Sequence, residues 1–327
     1  MKPIASLSLD LDNEWSYLRT HGDVGWEAYP SYLDRLVPRV LERLERRGLR
    51  ISFFVVGQDA AVERNREALG SLAAAGHEIG NHSLRHEPWL HLYSEGELEA
   101  ELAAAEDYIE AATGQRPSAF RGPGFSLSET TLRVLHRRGY RYDASTLPTF
   151  IGPLARAYYL TTARLDRSER KKRSYLFGTL REGLRPLGPY RWRLAEGTLL
   201  EIPVTTLPVL RVPFHLSYVL YLATFSGAAA RAYFAAALRL CQAARVSPSI
   251  LLHPLDFLGS EDAPSLGFFP AMRMAAARKL ECVEWCLDAL AARFQLVSLG
   301  EHARLASTRS DLPEVEPLFK SAALEAR

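Results

Sequence analysis

His77-Glu78-Ile79-Gly80-Asn81-His82-Ser83-Leu84-Arg85-His86 reads as a short strand, Glu78 to Asn81, that hands over directly to two histidines four residues apart. Four residues is about one helical turn, so in a turn or helix start both imidazoles can face one point. Neutral imidazole suits zinc and other transition metals, which makes the pair half of a metal site. Two unrelated surface histidines would leave the same trace. The stretch that decides between these readings is Ser8-Leu9-Asp10-Leu11-Asp12-Asn13-Glu14-Trp15. Ile4 to Asp10 reads as a buried strand, and along a strand residues i and i+2 share a face. Asp10 and Asp12 therefore point one way, Leu9 and Leu11 the other. Two like charges so placed repel, and one would stay protonated. A bound cation removes the conflict: one Asp ligates it and the other is left as a base. An Asx turn closing the strand explains one Asp more readily than two.

The rest of the first half alternates strand and helix. A polar loop, Asn13 to Pro30, leads to a basic amphipathic helix, Tyr32 to Arg47, with Pro38 expected to interrupt it. Ile51 to Val56 is a buried strand, Ala60 to Ala75 a helix, and Ser94-x-x-Glu97 a capping box opening a helix to Thr113. Ala119 to Arg121 is a strand, Ser126-x-x-Glu129 a second helix start, and Tyr140 to Asp143 strand-like. This rhythm argues for parallel βα units, as a barrel or an open sheet, with the chemistry at the carboxyl ends of the strands. It breaks near Leu147. Strand Leu199 to Val204 and helix Ala228 to Ala244 resume it. Strand Ser249 to His253, helix Ala271 to Arg293 and strand Gln295 to Leu299 follow. One barrel over 1–305 is expected, with an insertion at about 147–225 and a tail over 306–327.

Composition narrows the function. Of 327 residues 47% are hydrophobic, which allows one large barrel or two ordinary domains. The net charge of +2 gives no argument for nucleic acid as a partner. Cys241, Cys282 and Cys286 make no disulfide framework and read as packing residues, which points to a reduced, cytoplasmic protein. Met1 to Ser8 lacks the basic start and long apolar run of a signal peptide, so none is expected.

Two more stretches complete a pattern. Phe120-Arg121-Gly122-Pro123-Gly124-Phe125 sets an arginine at a strand end before a glycine-rich turn, and Ile250-Leu251-Leu252-His253-Pro254-Leu255-Asp256 ends an apolar strand on a histidine. The order Asp-x-Asp, His-x-x-x-His, Arg-x-Pro-Gly, Tyr-Asp, Leu-x-His resembles the polysaccharide deacetylase family (the NodB homology domain, carbohydrate esterase family 4). The likeness is close over residues 4–145 and looser over 199–300. It implies a distorted (β/α) barrel and a metal-dependent carbohydrate N-deacetylase. It also implies site roles: Asp10 as base, Asp12, His82 and His86 as metal ligands, Arg121 orienting the base, and His253 as acid. Asp143 becomes the aspartate partnering that histidine, with Asp256 as its competitor. Trp15, Gly122, Pro123, Gly124 and Phe125 become the substrate-contacting set. Leu11 splits the family's usual adjacent Asp pair, as in its deformylase- and allantoinase-like members. Gly124 stands where an aromatic is usual.

One divalent ion is expected, zinc first, with Co, Ni and Fe also matching the donors. Two other classes stay open: a non-catalytic carbohydrate-binding barrel, which would have no use for Asp10, and a non-haem Fe(II) oxygenase, which would leave Asp10, Arg121 and His253 without a task. The substrate implied is an N-acetylated or N-formylated amino sugar. Arg156 to Arg193 holds eleven Lys or Arg against three Asp or Glu, and Thr205 to Phe225 after it is apolar and aromatic. Together they suit peripheral contact with an anionic membrane, the inner face for a cytoplasmic protein, and a glycolipid substrate.

Overall fold

Ile4–Leu11 becomes β1, and the sheet is built outward from it. Ala5, Leu7, Leu9 and Leu11 enter the main hydrophobic core, while Ser6, Ser8, Asp10 and Asp12, the alternate positions, are buried on the opposite face. The structure, a computed structural model, describes residues 2–163, 165–167, 170 and 178–319. The remaining strands in chain order are β2 (Ser52–Val55), β3 (Glu78–Asn81), β4 (Ala119–Phe120), β5 (Tyr142–Asp143), β6 (Tyr190–Leu194), β7 (Gly197–Glu201), β8 (Ser249–Leu252), β9 (Gln295–Ser298) and β10 (Glu314–Val315). Their order is β10-β6-β7-β5-β4-β3-β2-β1-β8, and β9 pairs with the first half of β1. All pairings are parallel except the β6–β7 hairpin. This is the α/β distorted-barrel architecture, with a sheet that does not close.

The register explains how distant residues meet. Leu11 lies opposite Val55, Val55 opposite Asn81, Asn81 opposite Phe120, and Phe120 opposite Asp143. The next residue along each strand is therefore Asp12, Val56, His82, Arg121 and Ala144, one rung beyond the last paired layer. On the other side Leu9 lies opposite Leu252, which brings His253 level with Asp10. The carboxyl end of the sheet collects the chemistry because parallel pairing puts all these strand ends on one rim.

Several local expectations are corrected. Pro38 does not break its helix, which runs from Leu33 to Glu45; one lost hydrogen bond is outweighed by the buried face of Leu33, Leu36, Val37, Val40 and Leu44. The helix expected over Ala60–Ala75 is split into Gly57–Ala61, a 3₁₀ turn at Glu63–Asn65, and Arg66–Ala74. Val62 is extended there, and the Asn65 amide donates to the Asp59 carbonyl, competing with helical bonds. Ser128, not Ser126, caps Glu129–Arg137; the Ser126 hydroxyl accepts the His91 N–H instead. The capping box at Ser94 and the helix to Thr113 are as expected.

Within the stretch expected as an insertion lie a helix at Gly152–Thr162, the β6–β7 hairpin, and a helix at Leu216–Phe225. Strand β7 is part of the main sheet through β5. Residues 164, 168–169 and 171–177, the centre of the basic run, lie outside the described residues. The expected tail is partly structural: Leu312 is buried and β10 extends the sheet beside β6. Residues 320–327 lie outside the described part. Among the described residues no helix is long and apolar enough to cross a membrane.

Candidate metal centre and catalytic site

Asp12, His82 and His86 are all buried, and each offers a ligand atom within 4.8 Å of the others. Asp12 Oδ1 stands 3.2 Å from His82 Nε2 and 2.9 Å from His86 Nε2. His82 Nδ1 lies 2.6 Å from the Arg121 carbonyl oxygen, so Nδ1 carries the proton and donates it there. That leaves a lone pair on Nε2 aimed at a carboxylate oxygen. Asp12 Oδ1, although close to both nitrogens, accepts no hydrogen bond, and His86 Nδ1 is buried without a partner. Lone pairs facing one another, and an orphaned buried acceptor, are what a cation between them resolves. The residues present fit a divalent ion.

The electrostatics agree. Burial opposes a charged Asp12, yet His86 and then His82 hold its carboxyl well below the usual range. Burial likewise opposes a charged His82, while Asp10 and Asp12 push its pKa up. The site calls for positive charge, which a metal ion supplies without protonating a ligand. The turn that carries the pair is itself strained: Ser83 and His86 both have positive φ, at 63° and 51°.

Asp10 sits beside this cluster with a partner of its own. Arg121 is fully buried; its Nη1 donates to Asp10 Oδ1 at 2.6 Å and to Ser8 Oγ at 2.9 Å, and its Nε donates to the Ala144 carbonyl at 2.9 Å. The guanidinium also lies over the Phe54 ring, 4.3 Å from its centre. A fixed positive charge thus aims one Asp10 oxygen and leaves the other for chemistry.

His253 closes the opposite side. Its Nδ1 is 3.0 Å from Ser217 Oγ, which donates to Asp256 Oδ1 at 2.8 Å, and the other Asp256 oxygen accepts the His253 backbone N–H at 2.8 Å. Asp256, the competitor, is therefore the aspartate tied to the histidine. Asp143 is not: it accepts the Ser145 hydroxyl at 2.6 Å and lies opposite Glu201, and burial followed by that second carboxylate pushes its pKa well above the ordinary value. Its segment holds the site indirectly, since Ser145 Oγ also accepts the Gly122 N–H at 2.8 Å.

Trp15 is a second correction. It is buried in the core, and its indole donates to Asp59 Oδ1 at 2.9 Å, so it supports the metal loop rather than touching substrate. The Gly122–Phe125 turn divides. Gly122 and Pro123 are buried, and Gly122 must be glycine because a Cβ there would meet the Ser126 carbonyl oxygen at 2.1 Å. Gly124 and Phe125 line a cavity of about 420 Å³, with Ser145, Thr146, Tyr218 and Phe319 among its other walls.

Sequence reasoning passed over His215, Ser217, Tyr17 and Asp59. The His215 ring centre lies 5.5 Å from that of His253; burial, then His253 and Arg121, hold it well below the ordinary imidazole range, and its Nδ1 has no partner. Its one signal was a histidine between Pro213-Phe214 and an apolar helix. Burial, then the charges of Asp12, Tyr32 and Asp256, push the Tyr17 phenol well above its ordinary value.

Known proteins share part of this sequence and its fold. The sequence model of the family described as Polysaccharide deacetylase matches residues 23–142, which include His82, His86 and Arg121. A peptidoglycan deacetylase of Helicobacter pylori is 26% identical over 151 residues, covering 44% of this chain and 50% of that protein. A peptidoglycan-N-acetylglucosamine deacetylase of Bacillus cereus is 28% identical over 96 residues, 29% of this chain and 34% of that one. The chain thus spans half or less of these curated relatives. A solved structure assigned as a polysaccharide deacetylase from Mycobacterium smegmatis has the same fold, with a TM-score of 0.63 at 17% identity over 98% of this chain and 96% of that one. Over residues 23–142 the chain is thus similar to the polysaccharide deacetylase family, and its fold is that of the solved Mycobacterium smegmatis structure.

Proposed function

We propose that the chain is a metal-dependent hydrolase that removes an N-acyl group, acetyl or formyl, from an amino sugar, with a lipid-linked sugar at the cytoplasmic face of the membrane as its substrate. The observation that carries this reading is the pairing of Asp10 with Arg121 beside the Asp12–His82–His86 cluster. A barrel that only bound carbohydrate would not need a buried base with its own guanidinium. An oxygenase would leave that pair idle.

Asp12, His82 and His86 would hold the ion; zinc matches two nitrogens and one oxygen best, with Co, Ni and Fe also suited. When bound, such an ion polarises a carbonyl and lowers the pKa of water. Asp10 takes the proton of the attacking water, and Arg121, donating to one of its oxygens, keeps that carboxylate aimed. The amide C–N bond breaks as His253 donates a proton to the departing nitrogen, because an amine does not leave as an anion. Ser217 and Asp256 fix the ring for that donation. The acyl group ends as acetate or formate and the sugar as a free amine. The cavity beside Gly124 and Phe125 is the space for the sugar. Three free cysteines support the cytoplasmic placement.

Incubating metal-loaded protein with N-acetyl and N-formyl amino sugars, free and lipid-linked, and following product mass tests the reading. The expected result is loss of the acyl mass, abolished in Asp10→Asn. Absence of turnover on every substrate by protein shown to contain metal would overturn it.

A further inference from the structure

A group of large apolar side chains near that cavity is exposed. Leu154 is 72% exposed, Leu184 75%, Val209 87% and Leu210 63%. They come from three separate elements: the helix Gly152–Thr162, the 3₁₀ turn Leu180–Leu184, and the bend at Pro208–Arg211. These elements are joined. Thr149 Oγ1 donates to the Arg211 carbonyl at 2.7 Å, Arg211 Nη1 donates to the Arg185 carbonyl at 2.8 Å, and Ala155, Thr179 and Glu182 share the cavity wall.

The bend itself is forced. Leu207 N–H donates to the Val212 carbonyl and Arg211 N–H to the Leu207 carbonyl, both at 2.8 Å, while Leu210 N–H reaches back to the Pro208 carbonyl at 2.9 Å. Closing this tight loop puts Val209 at φ 71° and Arg211 at φ 55°. A β-branched residue at positive φ is strained, and here the strain buries nothing. It holds Val209 and Leu210 out into solvent. Arg181, between Leu180 and Leu184, is exposed and makes no ion pair among the described residues. Arg211, whose Nη1 donates to the Arg185 carbonyl, is a second cation on this face with no ion pair among the described residues.

From the strained apolar tip, the neighbouring apolar side chains and the positive surround, we infer that this face docks the protein peripherally on an anionic lipid surface, with Val209 and Leu210 entering the interface. Projecting tips rather than a groove suit a bilayer better than a protein partner, and the charge selects an anionic one. The surface adjoins the cavity through Ala155, Thr179 and Glu182, so the sugar of a lipid-anchored substrate would enter that cavity from the lipid side; that second step rests on the functional reading above, whereas docking does not.

The test is sedimentation of the full chain with vesicles of phosphatidylglycerol and phosphatidylcholine, against phosphatidylcholine alone. Binding is expected only to the anionic vesicles, weakening with added salt. The double variant V209S/L210S is expected to lower the partition coefficient roughly tenfold or more, and Leu184→Ser to lower it less, with unchanged melting temperatures. Hydrolysis of a water-soluble N-acetyl sugar should be unchanged in both, and that of a lipid-linked one reduced. No binding of wild type, equal binding by V209S/L210S, or a dimer in sedimentation velocity that V209S/L210S dissociates without any vesicle binding would each overturn the inference. Binding is read without activity, so an inactive protein that still docks would refute the functional reading alone.

Discussion

Asp10 and Asp12 stand two residues apart on one strand, and Asp143 and Glu201 stand opposite each other on two neighbouring strands. All four carboxyls are buried at the same rim of the sheet, yet the pairs solve the problem of like charge in opposite ways. In the first pair each carboxylate has its own cationic counterpart: Arg121 for Asp10, the imidazoles and the ion they fit for Asp12. In the second, both Glu201 oxygens accept, from the Thr146 N–H and hydroxyl and from the Trp192 indole, and Arg185 is the nearby cation. Asp143 has no ion pair among the described residues; burial and then the facing Glu201 push its pKa well above the ordinary value, and its Oδ2 has no hydrogen-bond partner. A carboxyl's role in this barrel follows from what faces it rather than from its residue type. We propose that the first pair does chemistry and that the second is a clamp.

Removing a ligand breaks the first pair most severely. His82→Ala or Asp12→Ala is expected to lose bound metal and all turnover together, measured by elemental analysis and product formation on the same sample. Retained stoichiometric metal in either variant would remove that residue from the centre. Asp10→Asn and His253→Ala should instead keep metal and lose turnover, by roughly 10²–10⁴-fold each. Full activity in metal-loaded Asp10→Asn would show that the charge beside Arg121 is not a base.

How much of this contrast could be read from the chain depended on range. The convergence of Asp12, His82 and His86 was legible because each motif is local: period-two alternation and a four-residue spacing state which side chains share a face. Strand β7 and the helix after Ser94 were legible for the same reason. Asp143 was misplaced because its partner is chosen by register, through β5 against β7, and no local pattern encodes the Glu201 opposite it. Trp15 was misread because an aromatic beside a motif looks like a sugar platform until its indole is seen to point at Asp59, 44 residues away. The partnering of His253 by Asp256 was local after all, but it runs through Ser217, which lies 36 residues back in the chain.

Asp59 offers a smaller test of the same contrast through pH. Burial is the main cause raising it, with Asn13 and Trp15 hydrogen bonds opposing, and it goes from the ordinary 3.8 to about 7. The folded state then holds a proton that the unfolded state releases at lower pH. Its stabilisation is full below 3.8 and lost as pH rises through about 7. Denaturant titrations should show wild type losing stability across that window relative to Asp59→Asn, by on the order of a few kcal/mol at most. Parallel curves for the two proteins would mean Asp59 is ionised throughout.

The smallest expected effect is the one that separates the two pairs most sharply. If Asp143 is a proton-bearing clamp, Asp143→Asn replaces an O–H by an N–H at nearly the same place. The amide oxygen still accepts the Ser145 hydroxyl, Ser145 still holds the Gly122 N–H, and Ala144 still accepts Arg121 Nε. Turnover should stay within about threefold of wild type, an allowance of well under 1 kcal/mol, where Asp10→Asn collapses. The pH dependence has a fixed sign as well. A raised folded pKa stabilises below 3.8, and that contribution fades as pH climbs toward the folded value; Asp143→Asn should therefore hold its melting temperature on the alkaline side better than wild type does. Were Asp143 instead an anionic partner of the acid His253, Asp143→Asn would lose turnover as steeply as His253→Ala and shift the alkaline limb of the rate profile. Kinetics across pH on these two variants distinguish a clamp from a catalytic charge.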